Sequence, residues 1–312
     1  MIKHKETFSE QVKRELTSLK FEDHCLKALL SSFISNRLTI VLKNNQEYWR
    51  LTSQFDFIIT FIEQAFKQLY PDVKINKVLS KTATNINGLT NYIEIQGNFD
   101  LINNDLCLNE NASKEILCKN ECCKRAYVAG AFLASGSVNS LDAKSYHLEI
   151  RSNNYMYLVY LQVVLANFTI NAVLTKHTKK QFILYVKKAD QISDFLKLIS
   201  AGNSMLAFED RKISKDFNMQ ITRLNNLDIS NINKSSVVGV KQVRQIKLLQ
   251  KSDLYKKQSD KFKKFCELRL KNQESSLSEL AKLMQEKYNI KITRAGLNHF
   301  GIKLNRLERK LK

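Results

Sequence analysis

Along most of this chain apolar residues recur at helical or strand spacing, but one stretch is apolar on every side. In Ala126–Ala134 the small residues Ala126, Ala129, Gly130, Ala131 and Ala134 are mixed with Tyr127, Val128, Phe132 and Leu133. A helix without a polar face must be buried. Ala and Gly also let a second backbone come close, so the pattern predicts a helix packed directly on another helix. Ser135-Gly136-Ser137 ends it, because glycine tolerates the backbone angles of a turn. Tyr146–Ile150 then alternates, with Tyr146, Leu148 and Ile150 on one face and His147 and Glu149 on the other, as a strand does.

The same alternation of periods organises the surrounding chain. Thr7-x-x-Glu10 is a capping box for a first helix, with Phe8, Val12 and Leu16 on one stripe. A helix over His24–Ser35 leads into strands at Arg37–Lys43 and Tyr48–Ser53. A helix at Gln54–Tyr70, stopped by Pro71, precedes strands at Val73–Ser80 and Asn91–Gln96. A second copy opens with the helix Glu121–Ala134, then strands near Ser137 and at Tyr146–Ser152, and a helix at Asn153–Asn167. A hairpin of Ile170–Lys176 with Gln181–Lys187 and a helix at Ala189–Ile199 complete it. Helix-strand-strand-helix-strand-strand-helix thus occurs twice, over halves of about 21–110 and 119–203. This predicts an α+β domain over 1–220 built from two αββαββα-type halves, a repeat of topology and barely of sequence.

From Ser230 the pattern turns all-helical: Asn231–Gln250, Ser252–Lys271, Ser275–Lys287 and Thr293–Lys310. Ser276-x-x-Glu279 caps the third, whose core stripe is Leu277, Leu280, Leu283 and Met284. After a short link Thr293 is N-cap of the last. There Leu297, Phe300, Leu304, Leu307 and Leu311 share one face, and Ala295, Asn298, His299, Ile302, Arg306, Arg309 and Lys310 the other. A short helix, a tight link and a helix with a polar, basic outer face predict a helix-turn-helix domain over 221–312.

Charge sharpens this. The net charge is +20, and residues 231–312 carry 21 Lys and Arg against 7 Asp and Glu. An excess concentrated in the last quarter is the footprint of a nucleic-acid-binding module, although a solubilising basic tail would give the same count. With 312 residues, 44% of them hydrophobic, the chain can bury two or three cores. No apolar run reaches the roughly 18–20 residues of a membrane span, and the first residues lack the apolar centre of a signal peptide. The expected location is therefore the cytoplasm, without membrane contact. Eight glycines, one proline and abundant Lys, Asn and Ile suggest an AT-rich bacterial genome. The six cysteines form no disulfide framework for a cytosolic chain. Cys118, Cys122 and Cys123 beside Glu121 lack the second pair that structural zinc spacing requires, and His147 is placed on a strand. No metal or cofactor is expected.

The run CCKRAYVAGAFLASGSV, followed by YHLEI, resembles the LAGLIDADG helix of homing endonucleases, with Val128–Gly136 as the nine motif positions, and in its fuller wording the WhiA regulators of bacteria. Active endonucleases carry a metal-binding acid at the eighth position, because hard divalent cations need carboxylate oxygens. Here that position is Ser135, and the sixth is Leu133. In the first copy Ala28–Asn36 fill the motif, giving Ser35 at the acid position and Asn36 at the terminal glycine. No catalytic residue is expected. Residues 199–213 are similar to the segment that joins the two modules in that family. Beyond them Arg223, Asn226, Asn231 and Lys234 match its wording, with Thr222 replacing an Asn. Helix caps or linker polarity would account for the same residues. In 293–304, Gly296, Asn298, His299, Lys303 and Leu304 match the family's last helix, while Phe300 and Gly301 depart from it.

Pattern and resemblance together nominate DNA-binding candidates: Ser276, Glu279, Thr293, Arg294, Ala295, Gly296, Asn298, His299, Lys303, Arg306 and Arg309. Arg223, Asn226, Asn231, Lys234, Lys261 and Lys264 are nominated for backbone contacts. The resemblance implies a transcription regulator on double-stranded DNA, associated with the nucleoid. The family's role is sporulation in actinomycetes and cell division or chromosome segregation in other Gram-positive bacteria, and the AT-rich composition favours the division role. A partner, either another regulator or a division protein, would dock on the N-terminal domain. Two rivals stand: an interaction scaffold of the division machinery with incidental DNA binding, and an endonuclease with displaced ligands drawn from Asp142, Glu149 and Glu121.

Overall fold

The computed structural model describes residues 6–79, 91–109, 114–178 and 180–311, and the chain divides into two compact units, 1–214 and 215–312. In the first unit α1 (Phe8–Thr17) precedes two copies of one pattern. The first copy is α2 (Asp23–Arg37), β1 (Leu38–Lys43), β2 (Gln46–Ser53), α3 (Asp56–Leu69), β3 (Lys74–Val78), β4 (Asn91–Gln96) and α4 (Phe99–Asp105). After α5 (Lys114–Leu117) comes the second: α6 (Glu121–Ser135), β5 (Gly136–Val138), β6 (Leu148–Ser152), α7 (Tyr155–Ala166), β7 (Val173–Lys176), β8 (Phe182–Val186) and α8 (Ala189–Leu198). Each copy folds a four-stranded antiparallel sheet of the same order, β1-β2-β4-β3 and β5-β6-β8-β7. This is the α+β, twice-repeated αββαββα architecture that the pattern predicts.

The two apolar helices α2 and α6 form the centre of this unit. A Cβ on Gly130 would lie 2.2 Å from the Leu29 carbonyl oxygen, so glycine is what lets the backbones touch. Around them the strands alternate as sheet faces require: Trp49, Leu51, Ile93 and Ile95 are buried. On the other face Glu94 accepts from Lys43 at 2.7 Å and Arg50 at 2.6 Å. Burial would raise the Glu94 carboxyl, but the hydrogen bonds from Lys43 and Arg50 outweigh it and hold the group below its ordinary value. Asn44 and Asn45, both at positive φ (51° and 57°), close the β1–β2 hairpin, a conformation that Asn adopts at little cost. Thr7 caps α1 by accepting from the Glu10 N–H at 3.3 Å.

A single helix, α9 (Gly202–Gln250), runs across the division between the units. At its start the Glu15 carboxylate accepts from the Asn203 and Ser204 N–H groups at 2.7 and 2.9 Å, satisfying helix-end donors. The second unit continues with α10 (Asp253–Lys256), α11 (Asp260–Lys271), α12 (Leu277–Tyr288) and α13 (Arg294–Leu311). Its core is Ile246, Leu249, Phe262, Phe265, Leu268, Leu280, Met284, Leu297 and Leu304.

Several boundaries differ from expectation. The helix expected at Asn231–Gln250 begins far earlier, at Gly202, so residues 202–230 also belong to α9. Ser252–Lys271 is two helices, because Ser259-Asp260 repeats the start signal of Ser252-Asp253. The β6 strand begins at Leu148, leaving Tyr146 and His147 before it. Leu311 lies beyond the core and is exposed. The expected strand Val73–Ser80 ends at Val78, and Ser80 lies outside the described residues.

Candidate nucleic-acid interface

The last two helices of the second unit have firm ends. Ser276 Oγ accepts from the Glu279 N–H at 3.2 Å, and the Ser276 N–H donates to Glu279 Oε2 at 2.7 Å, a complete capping box at the start of α12. Asn289, at φ 52°, stops α12, and the Ile290 N–H turns back to the Met284 carbonyl at 3.1 Å. Thr293 Oγ1 then accepts from the Gly296 N–H at 3.2 Å and opens α13. A side chain at Gly296 would press on Ile292 in the link. Ser276, Glu279 and Thr293 therefore use their polar groups on helix ends, and Gly296 shapes the link.

On α13 the buried side chains Leu297, Leu304 and Leu307 face the core. Ala295, His299, Ile302, Arg306 and Arg309 recur every three or four residues on the opposite side, and all are exposed. This stripe spans about 20 Å of helix. Arg294 and Asn298, also exposed, flank it and line a cleft of about 420 Å³ together with Ser276 and with Asn231 and Lys234 of α9. The structure thus gathers candidates from three helices. Arg223 and Asn226 are exposed on α9 but do not line this cleft. None of the four α9 candidates is a helix cap, because all lie inside the helix.

Two basic candidates rest their ammonium groups near aromatic rings. Lys303 Nζ lies 5.0 Å from the Phe262 ring centre, and Lys264 Nζ 5.0 Å from that of Tyr288. Both are half-buried, whereas Lys261 is exposed. Phe300, which replaces a basic residue of the family wording, packs on Phe262 and Phe265 at 5.4 and 5.6 Å between ring centres. Gly301 sits where any Cβ would meet the Gln242 amide at 2.8 Å. Sequence reasoning missed Arg269, buried at 1% exposure and donating to the carbonyls of Gln273 at 3.3 Å and Ser275 at 2.5 Å. Burial lowers the pKa of its guanidinium. Its signal was a cation standing in the apolar stripe Phe262, Phe265, Cys266.

In the first unit the endonuclease position takes another form. α2 and α6 both have 15 residues, so end-to-end matching places Arg37, not Ser35, opposite Ser135, and Leu38, not Asn36, opposite Gly136. The Asn36 amide donates to Ser135 Oγ at 2.6 Å, and Arg37 Nε donates to the Ala134 carbonyl at 2.6 Å. Where a nuclease needs two acids, this chain has a cation and a hydroxyl. Nearby, buried Lys13 has its pKa lowered to about 8, by desolvation first and by the Arg37 charge second. The alternative acids are all paired: Glu149 with Arg151 at 2.6 Å, Glu121 with Arg125 at 2.7 Å, and Asp142 with Arg211.

At the opposite end of the same helices, His24 and Cys25 come together with Cys122 and Cys123. The second pair that is missing along the sequence is supplied across the helix interface, and Cys118 is not part of the group. Burial pushes the Cys25 thiol up to about 12 and raises that of Cys123, whereas the hydrogen bond with His24 lowers that of Cys122. Among the described residues no helix is long and apolar enough to cross a membrane.

Comparison with known proteins finds two family models that match this chain. The WhiA LAGLIDADG-like domain matches residues 124–218, and the WhiA C-terminal HTH domain matches residues 221–308. Over 313 aligned residues the chain is 33% identical to the probable cell division protein WhiA of Bacillus subtilis, covering 98% of this chain and 97% of that protein. It is 31% identical to the protein of the same description from Shouchella clausii, covering 98% and 95%. The crystal structure of full-length WhiA from Thermotoga maritima superposes with a TM-score of 0.56 at 20% identity, over 97% of this chain and 98% of that one, a likeness of fold.

Proposed function

Because the chain belongs to the WhiA family, we propose that it is a DNA-binding transcriptional regulator of cell division and chromosome segregation, acting in the cytoplasm at the nucleoid and without nuclease activity. The observation that carries this reading is the exposed stripe His299, Ile302, Arg306 and Arg309 on the last helix, flanked by Arg294 and Asn298. A helix of this length fits a B-DNA major groove, where Asn and Arg can bond adenine and guanine edges bidentately. Lys234, Lys261 and the remaining surface cations of the basic second unit neutralise phosphates and set affinity without reading sequence. Domain borders at 220 and 221 keep all of these groups in the C-terminal module.

The first unit then acts as a scaffold. Ser135 and Arg37 at the acid positions leave no carboxylate pair for two-metal cleavage. A partner protein on this unit is a second role, favoured by the exposed Ile40 and Leu42 on the edge strand β1. Duplexes selected from a random pool, followed by binding isotherms on selected and scrambled sequences, test the regulator reading. Equal affinity for both at every salt concentration would favour the scaffold instead.

A further inference from the structure

We propose that His24, Cys25, Cys122 and Cys123 form a structural zinc site that clamps the first turn of α2 to the first turn of α6. The pairs occupy matching places: His24-Cys25 and Cys122-Cys123 are each the second and third residues of their helices. One imidazole nitrogen and three thiol sulfurs all lie within 4.8 Å of one another. Zn–S bonds of about 2.3 Å and Zn–N bonds of about 2.0 Å put tetrahedral ligand atoms roughly 3.5–3.8 Å apart. His24 Nε2 is already 3.4 Å from Cys122 Sγ, so closing round an ion needs side-chain shifts of an ångström or less.

The donor set selects the ion. Three thiolates with one imidazole suit zinc and exclude magnesium or calcium, which take oxygen ligands. Four protein ligands leave no open position, which is the mark of a structural rather than a catalytic zinc. The surroundings also favour it. His24 Nδ1 faces Glu22 Oε2 at 3.5 Å, the carboxylate–histidine arrangement that turns the other nitrogen toward a metal. Cys25 and Cys123 are buried, while His24 and Cys122 are exposed, so an ion can enter from solvent and end up half-shielded. Each helix is about 20 Å long, so this site is remote from the Ser135 end and distinct from the metal position of an endonuclease. Its effect is mechanical: it ties one end of the helix pair, as the Asn36–Ser135 hydrogen bond ties the other.

The test uses the full-length chain without a histidine tag, purified anaerobically and loaded with zinc. Elemental analysis should find one zinc per chain, retained through a chelating resin, and cobalt substitution should give the visible bands of a tetrahedral thiolate site. Cys122→Ser and His24→Ala alter exposed positions, so both should keep the far-ultraviolet circular dichroism of the wild type. Removing a ligand should weaken zinc more than the roughly 10–100-fold lost with an outer partner. Glu22→Gln should fall within that range, and Cys118→Ser should bind normally. A strong chelator should lower the melting temperature of the wild type but not of Cys122→Ser. The proposal is overturned by a folded wild type that stays metal-free, by full zinc retention in both ligand variants, by iron or copper instead of zinc, or by a Cys25–Cys122 or Cys122–Cys123 disulfide in the anaerobic protein.

Discussion

Replacing Gly130 with alanine adds one methyl group where the backbones of α2 and α6 touch. Its carbon would lie 2.2 Å from the Leu29 carbonyl oxygen, 2.9 Å from the carbonyl carbon and 3.0 Å from Cα. All three atoms are backbone, so no side chain can swing aside and α2 and α6 must separate by about 1 Å. A gap of 0.5–1 Å forfeits roughly a quarter to a half of each dispersion contact, and the loss extends along a helix pair buried on both sides. Overpacking alone costs about 1–3 kcal/mol, and backbone contact places this site at the top of that range. Alanine's higher helix propensity returns at most about 1 kcal/mol. The expected net destabilisation is therefore about 2 kcal/mol, a melting shift of roughly 4–8 °C for a unit of this size. The only tryptophan, Trp49, reports on this unit specifically: it is buried at 2% exposure and stacked on Phe99 at 4.7 Å. Its fluorescence during thermal and urea unfolding is the assay. Gly202→Ala, where a Cβ meets nothing within 4 Å, is the control and should stay within about 0.5 kcal/mol. A Trp49 transition unchanged in Gly130→Ala would refute the close-contact argument.

Other outcomes follow from the same geometry. Lys13 has a folded pKa of about 8 against 10.5 ordinarily, so between those values the unfolded chain binds more protons and stability of the first unit should rise with pH. The rise is of order 3 kcal/mol, and Lys13→Met should abolish it in urea titrations followed by Trp49. Arg269→Ala removes a buried, charged donor to the carbonyls of Gln273 and Ser275 together with its packing, and should cost the second unit about 2 kcal/mol, read by calorimetry of the full chain. Supercoiled plasmid should survive incubation with the protein and Mg²⁺ or Mn²⁺. Specific cutting that disappears in Asp142→Ala or Glu149→Ala would show a displaced metal site after all. Asn298→Ala and Arg306→Ala should each reduce preference for selected over scrambled duplex by about 1–3 kcal/mol.

Much of the fold was legible because local pattern and tertiary packing agree. Gly130 among alanines announced a helix contact, and it touches Leu29. Ser276 and Glu279 announced a helix start and form one. What escaped depends on partners distant in the chain. The rings beside Lys264 and Lys303, Tyr288 and Phe262, lie 24 and 41 residues away in the chain, so those contacts could not be read locally. In the α9 segment Ile213, Phe217, Ile221 and Leu224 do recur at helical spacing, but all four are exposed, so the stripe marks no core. Arg37 was misplaced because the first copy has no glycine to mark the end of the motif, leaving helix length as the ruler. His24 and Cys25 mean nothing beside their own neighbours and become a site only when α6 places Cys122 and Cys123 against them.

The central claim is that the last helix reads DNA sequence while the surrounding cations supply affinity. It is tested most directly by full-length binding isotherms across a series of salt concentrations, on selected and scrambled duplexes, for the wild type, Arg306→Ala and Lys261→Ala. Each phosphate contact contributes about −0.9 to the slope of log K against log salt. Lys261→Ala should flatten that slope by about 1 and weaken both duplexes alike. Arg306→Ala should instead collapse the ratio between the two duplexes. If Arg306→Ala leaves that ratio untouched and residues 1–214 alone bind the selected duplex as tightly as the whole chain, DNA reading resides in the first unit and the account is wrong.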